Sequence, residues 1–134
     1  MLPLTGLAFF MAAASLPGEV SVNPQPEVEL HLADRVAGRA VRSLPDGHVH
    51  RSGDTVVAWT AISGVPSGFI EHIWYRDNVE VARHYLPVGA GRRWRTWSRH
   101  RLQGGEYQLQ VLGPDGRLLK EVRFLSETEL PEGC

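Results

Sequence analysis

The chain has 134 residues, 14 Lys and Arg against 15 Asp and Glu, and 43% hydrophobic residues, with 14 Gly, 9 Pro and one Cys. That is one domain's length, enough to bury about two thirds of the unfolded surface, and it excludes a multidomain enzyme, a polytopic membrane protein and a disulfide scaffold. A formal charge of −1 argues against a generally basic nucleic-acid binder, so an electrostatic partner must be met by a local patch.

Residues 1–18 carry no charged side chain, and the apolar run from Leu7 ends in Ala12, Ala13 and Ala14. Small residues closing a short apolar stretch are the pattern of a signal-peptidase site. The expectation is a signal peptide or hydrophobic leader, and hence a periplasmic or extracellular protein. Because no Lys or Arg precedes the run, a membrane anchor and a core segment stay open. A simple spanning helix needs about 20 apolar residues, whereas Pro17 and Gly18 end this run early, so no membrane span is expected once a signal is removed. Residues 19–26, with Pro24 and Pro26, read as an extended linker.

From residue 27 to 125 apolar residues recur with period two, and no helical stripe stands out. Val28, Leu30 and Leu32 alternate with Glu29 and His31, as in a half-buried strand. Residues 35–53 are less regular, with room for an extra hairpin around Pro45, Asp46 and Gly47. Thr55 to Ile62 is apolar on both faces, the mark of a central strand. Phe69 to Arg76 follows, then an Asp77-Asn78 turn into Val79 to Val88, where Pro87 marks an edge or an end. Arg92 to Leu102 comes after a Gly89–Gly91 turn, and Glu106 to Leu112 after Gly104 and Gly105. Gly113, Pro114, Asp115 and Gly116 form the clearest hairpin turn, leading into Leu118 to Leu125. About seven strands at this spacing predict an all-β immunoglobulin-like sandwich. Residues 126–134, with Glu127, Glu129 and Glu132, read as an acidic flexible tail. Cys134 has no second Cys to pair with in the chain.

The strand Glu71, His72, Ile73, Trp74, the element Trp94, Arg95, Thr96, Trp97, Ser98, and the later Pro114, Asp115, Gly116 turn together resemble the bacterial DUF2914 family. The resemblance covers roughly Val56 to Leu125, and the Trp-Arg-Thr-Trp-Ser element is its most specific part. Asp77-Asn78 stands where the family pattern reads Asp-Gly; Asn tolerates positive φ. The resemblance implies an exported or membrane-tethered bacterial domain and assigns no catalytic residue, the family being named for lack of an established function.

Between Arg76 and Arg101 there are seven Arg and two acids, a local net charge of +5. Period two places Arg93, Arg95, Trp97 and Arg99 on one face of their strand, and sends Trp94, Thr96, Ser98 and His100 toward the core. Guanidinium groups bind carboxylate, sulfate and phosphate through paired hydrogen bonds, and an indole adds a stacking surface. The face, extended by Arg76, Arg83 and Arg101, is either a site for an anionic ligand or an internal Arg/Trp ladder. His72 and Trp74 share a strand face, as an aromatic platform for a glycan or as a core pair. His48 and His50 have the spacing of a strand His-x-His metal pair, but no third ligand is fixed and no metal is expected. No nucleophile elbow and no phosphate-binding glycine loop occurs, so neither an enzyme nor a cofactor is expected. The expected function is a non-catalytic exported binding or assembly module. Its partner is acidic cell-envelope polysaccharide or an acidic partner protein, and nucleic acid is not expected. The alternative is a structural subunit or accessory domain whose ladder only stabilises the sandwich and which pairs with a partner chain through a strand edge.

Overall fold

The computed structural model describes residues 25–37 and 40–128. The expected leader, most of the linker, residues 129–134 and Cys134 lie outside the described residues. Nine strands follow in order: β1 (Glu27–Ala37), β2 (Ala40–Ser43), β3 (His50–Arg51), β4 (Thr55–Ser63), β5 (Gly68–Arg76), β6 (Val79–Val88), β7 (Trp94–Arg101), β8 (Gly105–Leu112) and β9 (Leu118–Glu127). They form two sheets, β2-β1-β4-β7 and β3-β9-β8-β5-β6. With β2 and β3 set aside, the seven long strands distribute as first, second and fifth in one sheet and seventh, sixth, third and fourth in the other. This is an immunoglobulin-like order in which the fourth strand has moved from the first sheet to the second, beside the third.

The apolar pattern accounts for the layers. β4 is buried from Val56 to Ile62 because it is the one strand apolar on both faces, and it sits between β1 and β7. Its Val56 and Ala58 enter the inter-sheet core with Trp74, Leu102, Tyr107 and Leu109, and Ile62 packs with Ile70, Val88 and Val111. Its other face holds a second cluster, Val57, Trp59 and Ala61 with Ala33, on the outside of the sandwich. The Tyr107 hydroxyl accepts the Gln103 backbone N–H at 3.0 Å, the tyrosine corner of immunoglobulin-like sandwiches, here at the β7–β8 connection.

Three local expectations change. Residues 40–51 do not make a hairpin: β2 joins one sheet beside β1 and β3 joins the other, parallel to β9, so the Pro45–Gly47 turn crosses between sheets. The last strand runs two residues into the expected tail, because Ser126 and Glu127 pair with His50 and Arg51. Trp94 is 39% exposed rather than interior, since it stands opposite Ile62 at the end of its sheet and folds over Gly89. The Asp77-Asn78 turn has φ of 50° and 68°, the double left-handed geometry of a two-residue hairpin, so Asn78 does fill the position where glycine is usual.

A Cβ on Gly89 would lie 2.5 Å from the Trp94 indole. Gly89→Ala is therefore expected to cost about 1–3 kcal/mol through overpacking, measured by urea unfolding. Restoration of stability in Gly89→Ala/Trp94→Ala would confirm that the indole is the obstacle.

Candidate functional site

The conspicuous residues of β5 and β7 separate onto two surfaces. β7 pairs with β4 in eight consecutive antiparallel steps, Thr55 with Arg101 through Ile62 with Trp94, so directly opposed residues share a face. Thr96, Ser98 and His100 point inward with Thr60. Arg95, Trp97 and Arg99 lie outward, opposite Ala61, Trp59 and Val57.

Inside, a polar chain joins the sheets. The Trp74 indole N–H donates to Ser98 Oγ at 3.3 Å, and Ser98 Oγ lies 2.8 Å from His72 Nδ1. On the other side, His72 Nε2 is 3.3 Å from Thr60 Oγ1, which donates to the Thr96 carbonyl at 3.1 Å. Thr60 Oγ1 is also 3.0 Å from Thr96 Oγ1. With the Thr60 proton on the carbonyl, the Thr96 hydroxyl donates to Thr60, Nε2 of His72 carries the imidazole proton and Nδ1 accepts from Ser98. Burial pushes His72 down to about 3, with His84 adding in the same direction. Both His72 and Trp74 have no exposed surface, which removes them from any surface glycan platform. Trp74 stacks on His100 at 5.2 Å, and the Tyr107 ring stacks on Phe124 at 5.4 Å. The pair is a core device.

Outside, the Arg face divides. Arg93 is bound to Glu29, and its guanidinium stands 5.9 Å from the centre of the Trp59 ring. Glu29 also accepts from His31 at 2.8 Å, and the His31 and Arg93 contacts hold its carboxyl below the usual range. Arg95, Arg99 and Arg101 are exposed and make no ion pair among the described residues. Trp97, half-buried beside Trp59, separates Arg95 from Arg99, which are roughly 13 Å apart along the strand. The acids of this face sit two strands away on β1, so the β7 side is cationic. The Trp59 indole N–H beneath is buried with no partner among the described residues.

The expected extension of this face by Arg76 and Arg83 does not occur. Arg76 donates to the Gly104 carbonyl at 2.7 Å. Arg83 is held by Glu71 and Glu80 on the outer surface of the other sheet. It is raised above its ordinary value, chiefly by Glu80.

β5 with its buried histidine and tryptophan, β7 with its Trp-Arg-Thr-Trp-Ser element and the two final hairpin strands form one continuous stretch of chain. The model of the DUF2914 family, a protein of unknown function, matches residues 69–125. Residues 69–125 are similar to that family. The expected extent from Val56 shortens to a segment that begins on β5. No curated protein matches the chain.

The matched segment contains His72, Trp74, Thr96 and Ser98 of the buried polar chain and the Arg95–Arg99 face, while Thr60 and the rest of β1 to β4 lie before it. His48 and His50, also before it, meet edge-on at 4.9 Å between ring centres, but no group of three or more His, Cys, Asp or Glu is arranged to hold a metal among the described residues. Burial lowers the pKa of His50, with His48 adding. A cavity of about 470 Å³ opens there between Leu30, Leu32, Leu44, His48, His50 and Phe124, away from β7. Arg123 also lines it, exposed and without an ion pair among the described residues, but no tryptophan stands beside that guanidinium in the cavity. Among the described residues no helix is long and apolar enough to cross a membrane.

Proposed function

We propose that the chain is a non-catalytic binding module, working in the periplasm or outside the cell, that recognises an anionic ligand through Arg95, Trp97 and Arg99. The ligand class is acidic envelope polysaccharide or an acidic protein segment. One observation carries the reading: two exposed guanidinium groups without ion-pair partners among the described residues flank an indole on the outside of a sheet, while Arg83 and Arg93 have acids of their own. Unengaged guanidinium groups keep the donor forks that carboxylate and phosphate require.

The engaged half of the set supports the second reading, an accessory domain whose Arg/Trp ladder stabilises the sandwich and which meets its partner through a strand edge. Arg93 on Glu29 and Trp59 is such a rung. The double variant Arg95→Ala/Arg99→Ala separates the two. It is expected to keep the wild-type unfolding midpoint and to lose at least about tenfold in affinity for poly-glutamate or polygalacturonate, because hydrogen bonds to charged groups contribute about 1.5–3 kcal/mol each. Wild-type binding should also weaken as salt rises. Unfolding of the double variant, with no wild-type binding to either polyanion, would leave the ladder reading standing.

A further inference from the structure

A sheet edge left open is a template for another strand, and proteins blunt such edges with short strands, bulges, proline or charge. The four edges here are β2, β7, β3 and β6. β2 has four residues and β3 two. β6 is long, but its register with β5 shifts between Trp74 and Tyr75, and Pro87 removes a donor near its end. β7 has eight residues, no proline, and unbroken register against β4. Its only blunting device is charge, and that charge is of one sign: Arg95, Arg99 and Arg101 face outward with Trp97 among them.

We infer that β7 is a strand-addition site for an acidic, extended segment of a partner protein. The inference rests on the anion-recognition reading above and names its ligand. Outward side chains on a strand recur roughly every 6.8 Å, so a partner strand laid beside β7 brings an acid opposite each of Arg95, Arg99 and Arg101 and an apolar or aromatic residue opposite Trp97. Main-chain hydrogen bonds give such a complex its affinity, and the alternating side chains give it selectivity. A second copy of this chain is the wrong partner, because β7 against β7 sets arginine beside arginine, and like charges directly opposed repel. The charge that keeps copies apart is what admits an acidic strand.

The test uses three probes on the purified protein. One is a peptide of about nine residues, long enough for a typical strand, with glutamate, tyrosine, glutamate and glutamate at alternate positions and threonine or valine between. The second is the same peptide with an N-methylated backbone, which keeps the charges and loses the N–H donors. The third is polygalacturonate. The peptide is expected to bind, its N-methylated copy to bind at least about tenfold more weakly, and Arg99→Glu to weaken the peptide by a similar factor. Equal binding of the two peptides overturns strand addition, as does peptide binding that Arg99→Glu leaves unchanged. Binding of polygalacturonate without the peptide overturns strand addition and leaves anion recognition intact. Binding of none of the three overturns both.

Discussion

Trp74→Ala is expected to lower the unfolding free energy by about 3–5 kcal/mol, the cost of removing a large aromatic from a packed core. Small domains have only about 5–15 kcal/mol in total, so the variant should be largely unfolded at 37 °C or close to it. Three losses combine at this residue. Its side chain is fully buried among Val56, Ala58, Leu102, Tyr107 and Leu109. Its ring stacks on His100, and its N–H is the first donor of the chain that runs through Ser98 to His72. Trp97→Ala, by contrast, removes a half-buried indole on the outer face and should cost far less. Urea unfolding followed by far-ultraviolet circular dichroism checks the pair. Equal losses would mean that the inner and outer tryptophans have been assigned to the wrong surfaces.

Stability is also expected to fall on mild acidification, by roughly 2 kcal/mol between pH 6.5 and pH 5. His72 ionises near its ordinary value of 6.5 in the unfolded chain and at about 3 when folded. Between those values the unfolded state binds the extra proton, so the contribution of His72 is fully present above about pH 6.5 and is lost as pH falls toward 3. The slope is about 1.4 kcal/mol per pH unit for one such group. Burial lowers His100 and His50 as well, so they act in the same direction. The cause is geometric. His72 has Ser98 and Thr60 on its two nitrogens, Trp74 and His100 nearby, and the His84 imidazole opposite it on β6; the pair His72 and His84 repel when charged. Urea unfolding at a series of pH values reads the slope directly, and His72→Gln should flatten it while lowering the stability at pH 7.5. A wild-type profile flat from pH 7.5 to 5 would contradict a neutral buried imidazole.

The two predictions concern a core device that takes the place of a covalent one. Immunoglobulin domains of antibodies join their sheets by a disulfide beside a buried tryptophan. This chain has one Cys, and its sheets are joined instead by hydrogen bonds between Thr60 and Ser98 on one sheet and His72 and Trp74 on the other, with Thr96 holding Thr60 within its own sheet. A buried polar chain of this kind is favourable when every donor is met, and the proton order from Trp74 to the Thr96 carbonyl meets each one.

Strand identity and fold class were written in the amino-acid sequence, because period-two alternation and glycine-rich turns are local properties. β4 to β9 lie close to where the apolar pattern places them, and the Asp77-Asn78 turn follows from the tolerance of Asn for positive φ. Residue pairing across strands is not local, and the tertiary structure decided it. Alternation alone puts His72 and Trp74 on one face of a strand, but only the packing of β5 against β4 and β7 shows that face to be interior. The same holds for the arginines: all seven between Arg76 and Arg101 look alike in sequence, yet Glu29 from β1, 64 residues away, engages Arg93, and Glu71 and Glu80 engage Arg83. Arg76 is taken by the Gly104 carbonyl; what remains for a ligand is Arg95, Arg99 and Arg101 on β7, with Arg92 in the turn before it, because no acid among the described residues comes within ion-pair distance of them.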